Sequence, residues 1–480
     1  RVIRTWHFGR YRATQSAEAR ERLTELTPAL LQAFGNTRRA DEALMRFDAF
    51  LAGLPAGIQL FSLLQSNPAL LNLLALIMGA APRLAAIITR RAHVFDGLLD
   101  PMLMAELPDR RYLAGRLQAF LEGVTLHEEI LDRLRIFAAE QKFLIGVRLL
   151  TGAIDAVRAG KAFSDLADLT IGAALEAVRE EFAVRHGRVA GDRVALLGMG
   201  KLGSRELTAG SDVDMILLYN HSETAEESDG EKPLAPALYF TRLTQRLIAA
   251  VSAPTGEGVL YEIDMRLRPS GNKGPVATHI SSFRKYQRTE AEIWEHMALT
   301  RGRVIAGDAD FAGVIGADIA GILGTPLVYS DVAREARQMR ALIEKEKPPA
   351  DERDLKLALG GLIDLEFIAQ VALLTGRVDE AGRSTATAEV LRHLADDLAD
   401  LQERGELFEA HRLYTTLTQI MRLCLTGNLD PADIPPGLSD LLIRSADAPD
   451  LNVLRALLKD TTRNVRKLFD ALLSEKSASR

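Results

Sequence analysis

Cysteine is nearly absent from this 480-residue chain, and several common catalytic signatures are missing as well. The single cysteine, Cys424, excludes an intrachain disulfide and any metal site built from several cysteines. The nine histidines include no H-E-x-x-H pair and no adjacent His-Asp pair, so no zinc peptidase or metal-dependent phosphohydrolase centre is indicated. No GxxxxGK[ST] loop occurs, which argues against a P-loop kinase.

Long hydrophobic runs and an excess of basic residues are also missing. The most apolar stretch, Ala69 to Ala81, ends at Pro82 and is shorter than the ~20 residues of a membrane span. The formal net charge is −6, with both signs mixed along the chain, which disfavours nucleic acid as a partner. We therefore expect a cytoplasmic globular protein with neither a membrane nor a nucleic-acid partner. Because the chain begins at Arg1, we also expect a fragment of a longer protein.

Hydrophobic periodicity changes twice along the chain and predicts three parts. The pattern is helical over residues 1–165, includes short strands within 166–322, and is helical again over 323–480. In the middle part VALLG, DVDMILLY and the alternating segment Leu260–Arg268 predict strands. The sequence thus predicts a predominantly helical α+β protein, with a catalytic domain between an N-terminal helical domain and a C-terminal helical bundle.

Two aspartates at the start of the second predicted strand are the strongest indication of chemistry. Asp212 and Asp214 follow Gly210 and Ser211, and residues i and i+2 of a strand point to the same side. Mg²⁺ is commonly held by one or two carboxylates together with substrate phosphates. Asp264, on the polar face of the third predicted strand, supplies a third carboxylate for a two-metal site and a base for an attacking hydroxyl.

Candidate phosphate-binding groups surround these carboxylates in the sequence. The Gly-Ser pair before the first aspartate allows close backbone approach and offers a hydroxyl to phosphate oxygens. Lys201, in the preceding glycine loop, is a further candidate for phosphate binding. Arg266 and Arg268 share the face of Asp264, where they either bind a triphosphate or pair locally, and both alternatives stay open. Together these residues predict a Mg²⁺-dependent nucleotidyltransferase that moves a nucleoside monophosphate onto a hydroxyl group.

The same region admits other interpretations. GMGKLG matches the dinucleotide fingerprint G-x-G-x-x-G, but that fingerprint needs an acidic residue about 20 positions further on. This chain has Tyr219 and Asn220 at the end of its second predicted strand, so an oxidoreductase is disfavoured. AEIWEHMALTRGRV is expected to be a helix and DLKLALGGLIDLEF a turn into a helix, without a chemical role that the residues alone support. A catalytically silent module that binds only nucleotide or a partner protein is the remaining alternative.

Four motifs together resemble the bifunctional glutamine synthetase adenylyltransferase/adenylyl-removing family. In order they are GMGKLGSRELTAGSDVD, YEIDMRLRPSG, WEHMALTRGRV and DLKLALGGLIDLEF. The resemblance implies a polymerase-β-like nucleotidyltransferase fold that uses ATP and Mg²⁺, with Asp212, Asp214 and Asp264 on the family's metal-binding carboxylates. It also implies AMP transfer to a tyrosine hydroxyl of glutamine synthetase, regulated by glutamine and the PII signalling protein. Ser204 departs from the family loop, which frequently has a second glycine at that position.

Members of that family resemble two related halves, each with a nucleotidyltransferase domain, whereas this chain has one. RLRPSG followed by WEHMAL resembles the transferring C-terminal half, while the removing half more often has RLRPFG and WERYA. Ser270 and His296 are the deciding positions. We therefore expect this half to add AMP, with removal by phosphorolysis as the alternative. The related PII uridylyltransferases add a His-Asp hydrolase domain, whose motif this sequence lacks.

Overall fold

The chain divides into two compact units, each assembled from separate stretches of sequence. In the computed structural model, residues 2–37, 39–91, 94–95, 109–351, 353–379, 382–425 and 436–474 are described. Unit 1 comprises Arg1–Leu107, Ala139–Ala159 and Thr416–Leu457, and unit 2 comprises Pro108–Ala138, Gly160–Thr415 and Leu458–Arg480. The predicted division at 1–165, 166–322 and 323–480 follows chain order and stays a prediction.

Helices account for most of the described residues, as the sequence predicts. In chain order they are α1 (Val2–Trp6), α2 (Ala17–Gly35), α3 (Ala40–Gly53), α4 (Ile58–Ser66), α5 (Pro68–Ala80), α6 (Pro82–Arg90), α7 (Arg110–Leu121), α8 (His127–Leu150), α9 (Ala156–His186), α10 (Gly200–Gly203), α11 (Pro236–Ser252), α12 (Ile280–Thr289), α13 (Ile293–Leu299), α14 (Ala309–Leu323), α15 (Tyr329–Glu346), α16 (Leu362–Leu374), α17 (Thr387–Arg392), α18 (Leu401–Cys424), α19 (Pro436–Ser445) and α20 (Leu451–Leu472). The strands are β1 (Arg193–Gly198), β2 (Val213–Asn220), β3 (Ile263–Asp264), β4 (Ala277–His279) and β5 (Arg303–Gly307). A predominantly helical protein with a small mixed sheet confirms the α+β class.

Aromatic side chains form much of the core around the first helices of unit 1. The rings of Trp6 and Phe47 meet edge to face at a centroid distance of 5.7 Å, and Phe47 also contacts Phe34 at 5.6 Å. The Trp6 indole N–H donates to Asp48 at 2.8 Å, so the polar edge of this buried ring is satisfied. Because a five-residue helix is marginal in isolation, α1 depends on these tertiary contacts.

Helices α4 and α5 form the most apolar pair of unit 1. Within the described ranges, no single helix has both the length and the apolar composition to cross a membrane. Taken together, α4 and α5 pass that test by length and composition only, and they bend by 110° at the break between them. At the break Asn67 caps α5 by accepting from Leu70 N at 3.1 Å, and Pro68 occupies the first turn, where no amide donor is needed.

The sheet of unit 2 carries the predicted catalytic residues. Its strand order is β3-β2-β1-β5, and β4 also pairs with β2. Strand β1 is antiparallel to β2 and β5, whereas β3 and β4 are parallel to β2. Strand β3 pairs with the first residues of β2 and β4 with its later residues. The aspartate-bearing end of β2 is therefore the end that β3 joins.

The two faces of this sheet pack on different helices. On one face Leu197 and Ile216 belong to a buried core shared with α12, α13 and α14. On the other face Tyr219 stacks on Phe240 of α11 at a centroid distance of 4.1 Å. Helix α9 packs beside α11, where two further rings meet at 5.0 Å. Since side chains alternate along a strand, Asp214 belongs to the same face as Ile216.

The strand predictions are right at the centre of the sheet and wrong at its edge. Strands β1 and β2 match VALLG and DVDMILLY to within one residue at each end. The predicted strand Leu260–Arg268 is right only at Ile263 and Asp264, which pair with β2, and wrong elsewhere, because the chain turns after Asp264. Tyr261 and Met265 are buried without joining a ladder, so the alternation reflects burial of loop side chains. Strands β4 and β5 are not predicted by the sequence analysis.

Candidate active site

Asp214 is the second residue of β2, and its surroundings are closely fixed. Its carbonyl accepts a hydrogen bond from Met199 N at 2.8 Å, and its Cα partner in the sheet is Asp264. Gly200 has φ +53°, and a Cβ built there would lie 2.7 Å from Asp214 Oδ2. The loop therefore requires glycine at this position both for its backbone conformation and for the space that the carboxylate occupies.

A closed turn places Asp212 just before β2. Ser211 N donates to Thr208 O at 3.1 Å, Thr208 N donates to Ser211 Oγ at 3.1 Å, and the two hydroxyl groups are 2.8 Å apart. Asp212 follows this turn and is exposed, while Gly210 lies within it. The Ser211 hydroxyl is thus engaged inside the turn, and phosphate binding by Gly210 and Ser211 stays a prediction.

The three aspartates interact electrostatically. Burial, followed by the charges of Asp212 and Asp264, raises the pKa of Asp214 to about 6. The positive charges of Lys356 and Arg301 act in the opposite direction. A cation among the carboxylates would relieve this repulsion and favour their ionised forms. The structure therefore brings the three predicted metal ligands within electrostatic range of one another.

Asp264 is held by its neighbour Arg266. Arg266 N donates to Oδ1 at 2.8 Å, Nε donates to Oδ2 at 2.7 Å, and Nη2 also donates to Oδ2. These hydrogen bonds lower the pKa of the Asp264 carboxyl. Arg268 also bonds locally, donating to the carbonyls of Met265 at 2.8 Å and Gly274 at 3.3 Å. Of the two alternatives left open for these arginines, the structure contains the local pairing, and triphosphate binding stays a prediction.

The donor chemistry of this cluster fits Mg²⁺, but one side chain would have to move. Carboxylate oxygens are ligands that Mg²⁺ prefers, and Asp212, Asp214 and Asp264 supply them from adjoining segments. Among the residues that the structure describes, no three His, Cys, Asp or Glu side chains are already placed to hold an ion. Instead, the Arg266 guanidinium forms an ion pair with the Asp264 carboxylate. Ligation by all three aspartates therefore requires the Arg266 guanidinium to leave Asp264.

Arg301 connects the motifs behind the aspartates. Its buried guanidinium donates to Glu206 at 2.9 Å, forms an ion pair with Glu366 at 2.8 Å and donates to Ser204 Oγ at 2.9 Å. Although burial opposes its charge, the Glu366 and Glu206 carboxylates raise the pKa of Arg301. The Ser204 hydroxyl also donates to Glu206 at 2.8 Å. Ser204 thus adds hydrogen bonds to this network.

Glu206 ties the same network to two further helices. It accepts from Thr387 N at 2.9 Å and from the Thr387 hydroxyl at 3.2 Å, and His411 Nε2 lies 3.8 Å away. Burial lowers the pKa of His411, and the charge of Lys201 contributes in the same direction. Lys201 lies on α10 within range of this buried cluster. Its predicted contact with phosphate stays a prediction.

Two cations near the aspartates, Lys356 and Arg301, were not predicted from the sequence to have a chemical role. Lys356 is exposed in the turn before α16, and its side chain forms no ion pair with any described residue. The two carboxylates of α16 diverge: Glu366 pairs with Arg301, whereas Asp364 accepts from Gly360 N at 2.6 Å and pairs with another buried arginine. Arg301 lies in the motif WEHMALTRGRV and Lys356 in DLKLALGGLIDLEF, each shortly before a glycine. A basic residue close to a glycine was therefore the sequence signal for both cations.

The sequence also matches a known protein family. Residues 71–314 match the sequence model described as glutamate–ammonia ligase adenylyltransferase, which covers about half of the chain. The chain belongs to this family. The matched range contains the candidate site residues from Lys201 to Arg268, while Lys356 and Glu366 lie beyond it.

The chain is similar to curated proteins named bifunctional glutamine synthetase adenylyltransferase/adenylyl-removing enzyme. The protein from Mesorhizobium japonicum is 70% identical over 473 residues, which cover 98% of this chain and 48% of that protein. The protein from Brucella melitensis is 65% identical with the same coverage. The protein from a Bradyrhizobium species is 43% identical over 478 residues, covering 99% of this chain and 48% of that protein. The chain spans about half the length of the curated relatives it matches.

Proposed function

We propose that this chain transfers AMP from ATP to a tyrosine hydroxyl of glutamine synthetase and releases pyrophosphate. The observation that supports the proposal is the convergence of Asp212, Asp214 and Asp264 where β3 joins β2, in a member of an adenylyltransferase family. The relatives' name supplies the acceptor protein. The mixed sheet with helices on both faces suits a polymerase-β-like nucleotidyltransferase domain, which we propose for this part of unit 2.

The proposed reaction is a displacement at the α-phosphorus of ATP. The tyrosine oxygen forms a bond to the α-phosphorus, the bond from that phosphorus to the bridging oxygen breaks, and pyrophosphate leaves with this oxygen. Asp264 accepts the proton of the tyrosine hydroxyl. Mg²⁺, held by Asp212, Asp214 and Asp264, would supply charge neutralisation at the phosphates. In this scheme the carboxylates also orient the acceptor relative to the triphosphate.

Cations around the carboxylates are proposed to bind the triphosphate. Lys356 is the best placed, because its charge reaches Asp214 and its side chain has no ion pair within the described residues. Arg266 becomes available once it leaves Asp264, and its exposed guanidinium suits bidentate contact with phosphate oxygens. We keep Lys201 and Arg268 as further candidates, together with the turn formed by Gly210 and Ser211. Glutamine and the PII signalling protein are proposed as effectors on the strength of the family resemblance.

Radiolabelled ATP tests the proposed function directly. The purified chain, ATP labelled in the α-phosphate, Mg²⁺ and unmodified glutamine synthetase should give labelled synthetase and free pyrophosphate. Asp212→Asn and Asp214→Asn should abolish labelling while the thermal unfolding curve stays close to that of the parent. No label on the synthetase, with a folded chain and both effectors supplied, would favour a module that only binds nucleotide or a partner.

The direction of transfer needs a second assay. We propose addition of AMP, because Ser270 and His296 agree with the transferring half of the family. Ser270 lies in the turn after β3 with φ +61°, and His296 Nε2 lies 2.8 Å from Gln287 O. Fully adenylylated synthetase, inorganic phosphate and Mg²⁺ without ATP should give little ADP. Faster ADP release than forward labelling, under matched effectors, would reverse the assignment to phosphorolysis.

A further inference from the structure

A cleft of about 490 Å³ opens between α9, α11 and the segment that leads into α11. Every charged residue that lines it is basic: Arg185, Lys232, Arg242 and Arg246. No carboxylate lines it, although the chain carries a net charge of −6. Such a concentration of one sign in a concave site raises the local potential and attracts anions.

Helical spacing explains why these cations converge. Arg242 and Arg246 are four residues apart and share one face of α11. Arg185 lies in the last turn of α9, where the helix dipole favours a positive charge. Lys232 N donates to Arg185 O at 3.0 Å, which fixes the lysine beside the end of α9. Three separate segments therefore direct basic side chains into one space.

Most of this positive charge is not neutralised by the protein. Arg246 pairs with Glu181, and its guanidinium carbon lies 5.2 Å from the centroid of the Phe182 ring. Arg185, Lys232 and Arg242 are exposed and form no ion pair with any residue in the described part of the chain. Three cations that line one cleft without an ion pair to a described residue leave a positive site that a bound anion would neutralise.

The sheet separates this cleft from the aspartates. Helices α9 and α11 belong to the layer on the Tyr219 face of the sheet. Asp214 belongs to the opposite face, together with Ile216 and helices α12, α13 and α14. The cleft therefore lies outside the proposed active site, and its ligand is not the triphosphate that reacts there.

We propose that this cleft binds a small anion that carries several phosphate groups. Guanidinium groups match the oxygens of a phosphate in a bidentate manner, and three of the four cations are arginines. The volume lies within the range of small-molecule sites, roughly 300–1,000 Å³. Because the cations converge on one cavity instead of spreading over a surface, a compact polyanion suits them better than an acidic protein face. This inference does not depend on the proposed transfer activity.

Calorimetric titration with tripolyphosphate tests the cleft in the absence of Mg²⁺ and ATP. The full chain should bind the probe at physiological ionic strength. Arg185→Ala with Arg242→Ala should weaken binding by about tenfold or more, since two charge-assisted contacts are lost. The matched control removes the same charge from α7 through Arg111→Ala and Arg116→Ala, both exposed and without ion pairs among the described residues. The control should bind the probe as the parent does.

Four results would overturn the proposal. The first is unchanged binding in the cleft variant with a normal thermal unfolding curve, and the second is an equal loss in the α7 control, which would indicate a response to net charge alone. The third is loss of binding in Lys356→Met, since that would assign the probe to the aspartate site. A hexaglutamate peptide serves as the competing class of ligand. Tighter binding of that peptide than of tripolyphosphate would also reject the phosphate assignment.

Discussion

Replacing Arg301 by methionine should destabilise unit 2 strongly, because it leaves two largely buried carboxylates without their cation. Arg301 is 8% exposed at its side chain and holds Glu206 and Glu366 at 2.9 and 2.8 Å. Methionine keeps the aliphatic length but supplies no donor. Burial would then raise the pKa of Glu206, which Arg301 now helps to lower. In the variant, the Glu206 and Glu366 carboxylates must either stay charged in a poorly solvated environment or become protonated.

The expected magnitude follows from the number of groups left unpaired. Removing one partner of a buried ion pair costs about 3–5 kcal/mol. Since Arg301 serves two carboxylates, we expect a loss near the upper end, about 5 kcal/mol, which is comparable to the whole stability of many domains. Adding Glu206→Gln and Glu366→Gln to Arg301→Met removes the buried charges and should recover most of that loss. Recovery by two further substitutions distinguishes unpaired charge from lost packing.

Urea unfolding followed by the fluorescence of Trp294 measures the effect. Trp6 and Trp294 are the two tryptophans of the chain, so a Trp6→Phe background leaves a single reporter on α13, in unit 2. All variants are compared in that background. Arg111→Met, an exposed replacement on α7, should change the free energy of unfolding by less than about 0.5 kcal/mol. A loss below about 1 kcal/mol for Arg301→Met, or no recovery in the triple variant, would refute the reasoning.

Three further changes have defined outcomes. Lys356→Met should lower kcat/KM for ATP by about 10–150-fold, which corresponds to the loss of one hydrogen bond between charged groups, and should not change thermal stability. The control Lys345→Met, at an exposed position, should change neither kcat/KM nor thermal stability. Burial lowers the pKa of Lys142 to about 7, so between about pH 7 and pH 10 the unfolded chain binds a proton that the folded chain does not, and the free energy of unfolding should rise with pH. The urea midpoint of Lys142→Met should rise less over this range than that of the parent. An equal rise in the two proteins would contradict the prediction. Burial raises the pKa of Cys424 to about 12, so a thiol reagent at pH 8 should label it only at urea concentrations that unfold the chain, and rapid native labelling would show the thiol to be accessible.

The central strands could be predicted from the sequence, and the edge strands could not. Strands β1 and β2 are continuous apolar runs because both of their faces are covered by helices. Strand β4 has three residues and β3 has two, too few for a periodic pattern to emerge. Strand β5 follows α13 after a short turn at Gly302, and its first two residues, Arg303 and Val304, were wrongly included in the segment AEIWEHMALTRGRV, which was expected to be a helix. Pairing with β1, a contact distant in sequence, decides its conformation.

The aspartates were visible in the sequence because their relationship is local, whereas the cations near them were not. Asp212 and Asp214 are two residues apart and precede a recognisable strand. Arg301 and Lys356, which are 87 and 142 residues beyond Asp214, reach the same region only through the packing of distant segments. The pairing of Arg266 with Asp264 is also local, yet the sequence left it open because a neighbouring arginine can equally well face a ligand.

The GMGKLG loop illustrates how one pattern can have two physical causes. In a dinucleotide site the glycines admit a pyrophosphate, but here Gly200 leaves room for the Asp214 carboxylate, only 2.7 Å from where a Cβ would lie. At Gly203 a Cβ would lie 1.8 Å from the carbonyl oxygen of Arg301 and 2.5 Å from that of Gly198. Gly200 thus serves the aspartate strand, and Gly203 allows the Arg301 segment to lie against the loop. The glycines that resemble a cofactor fingerprint are needed because the carboxylate site and the buried arginine network approach the same backbone from two sides.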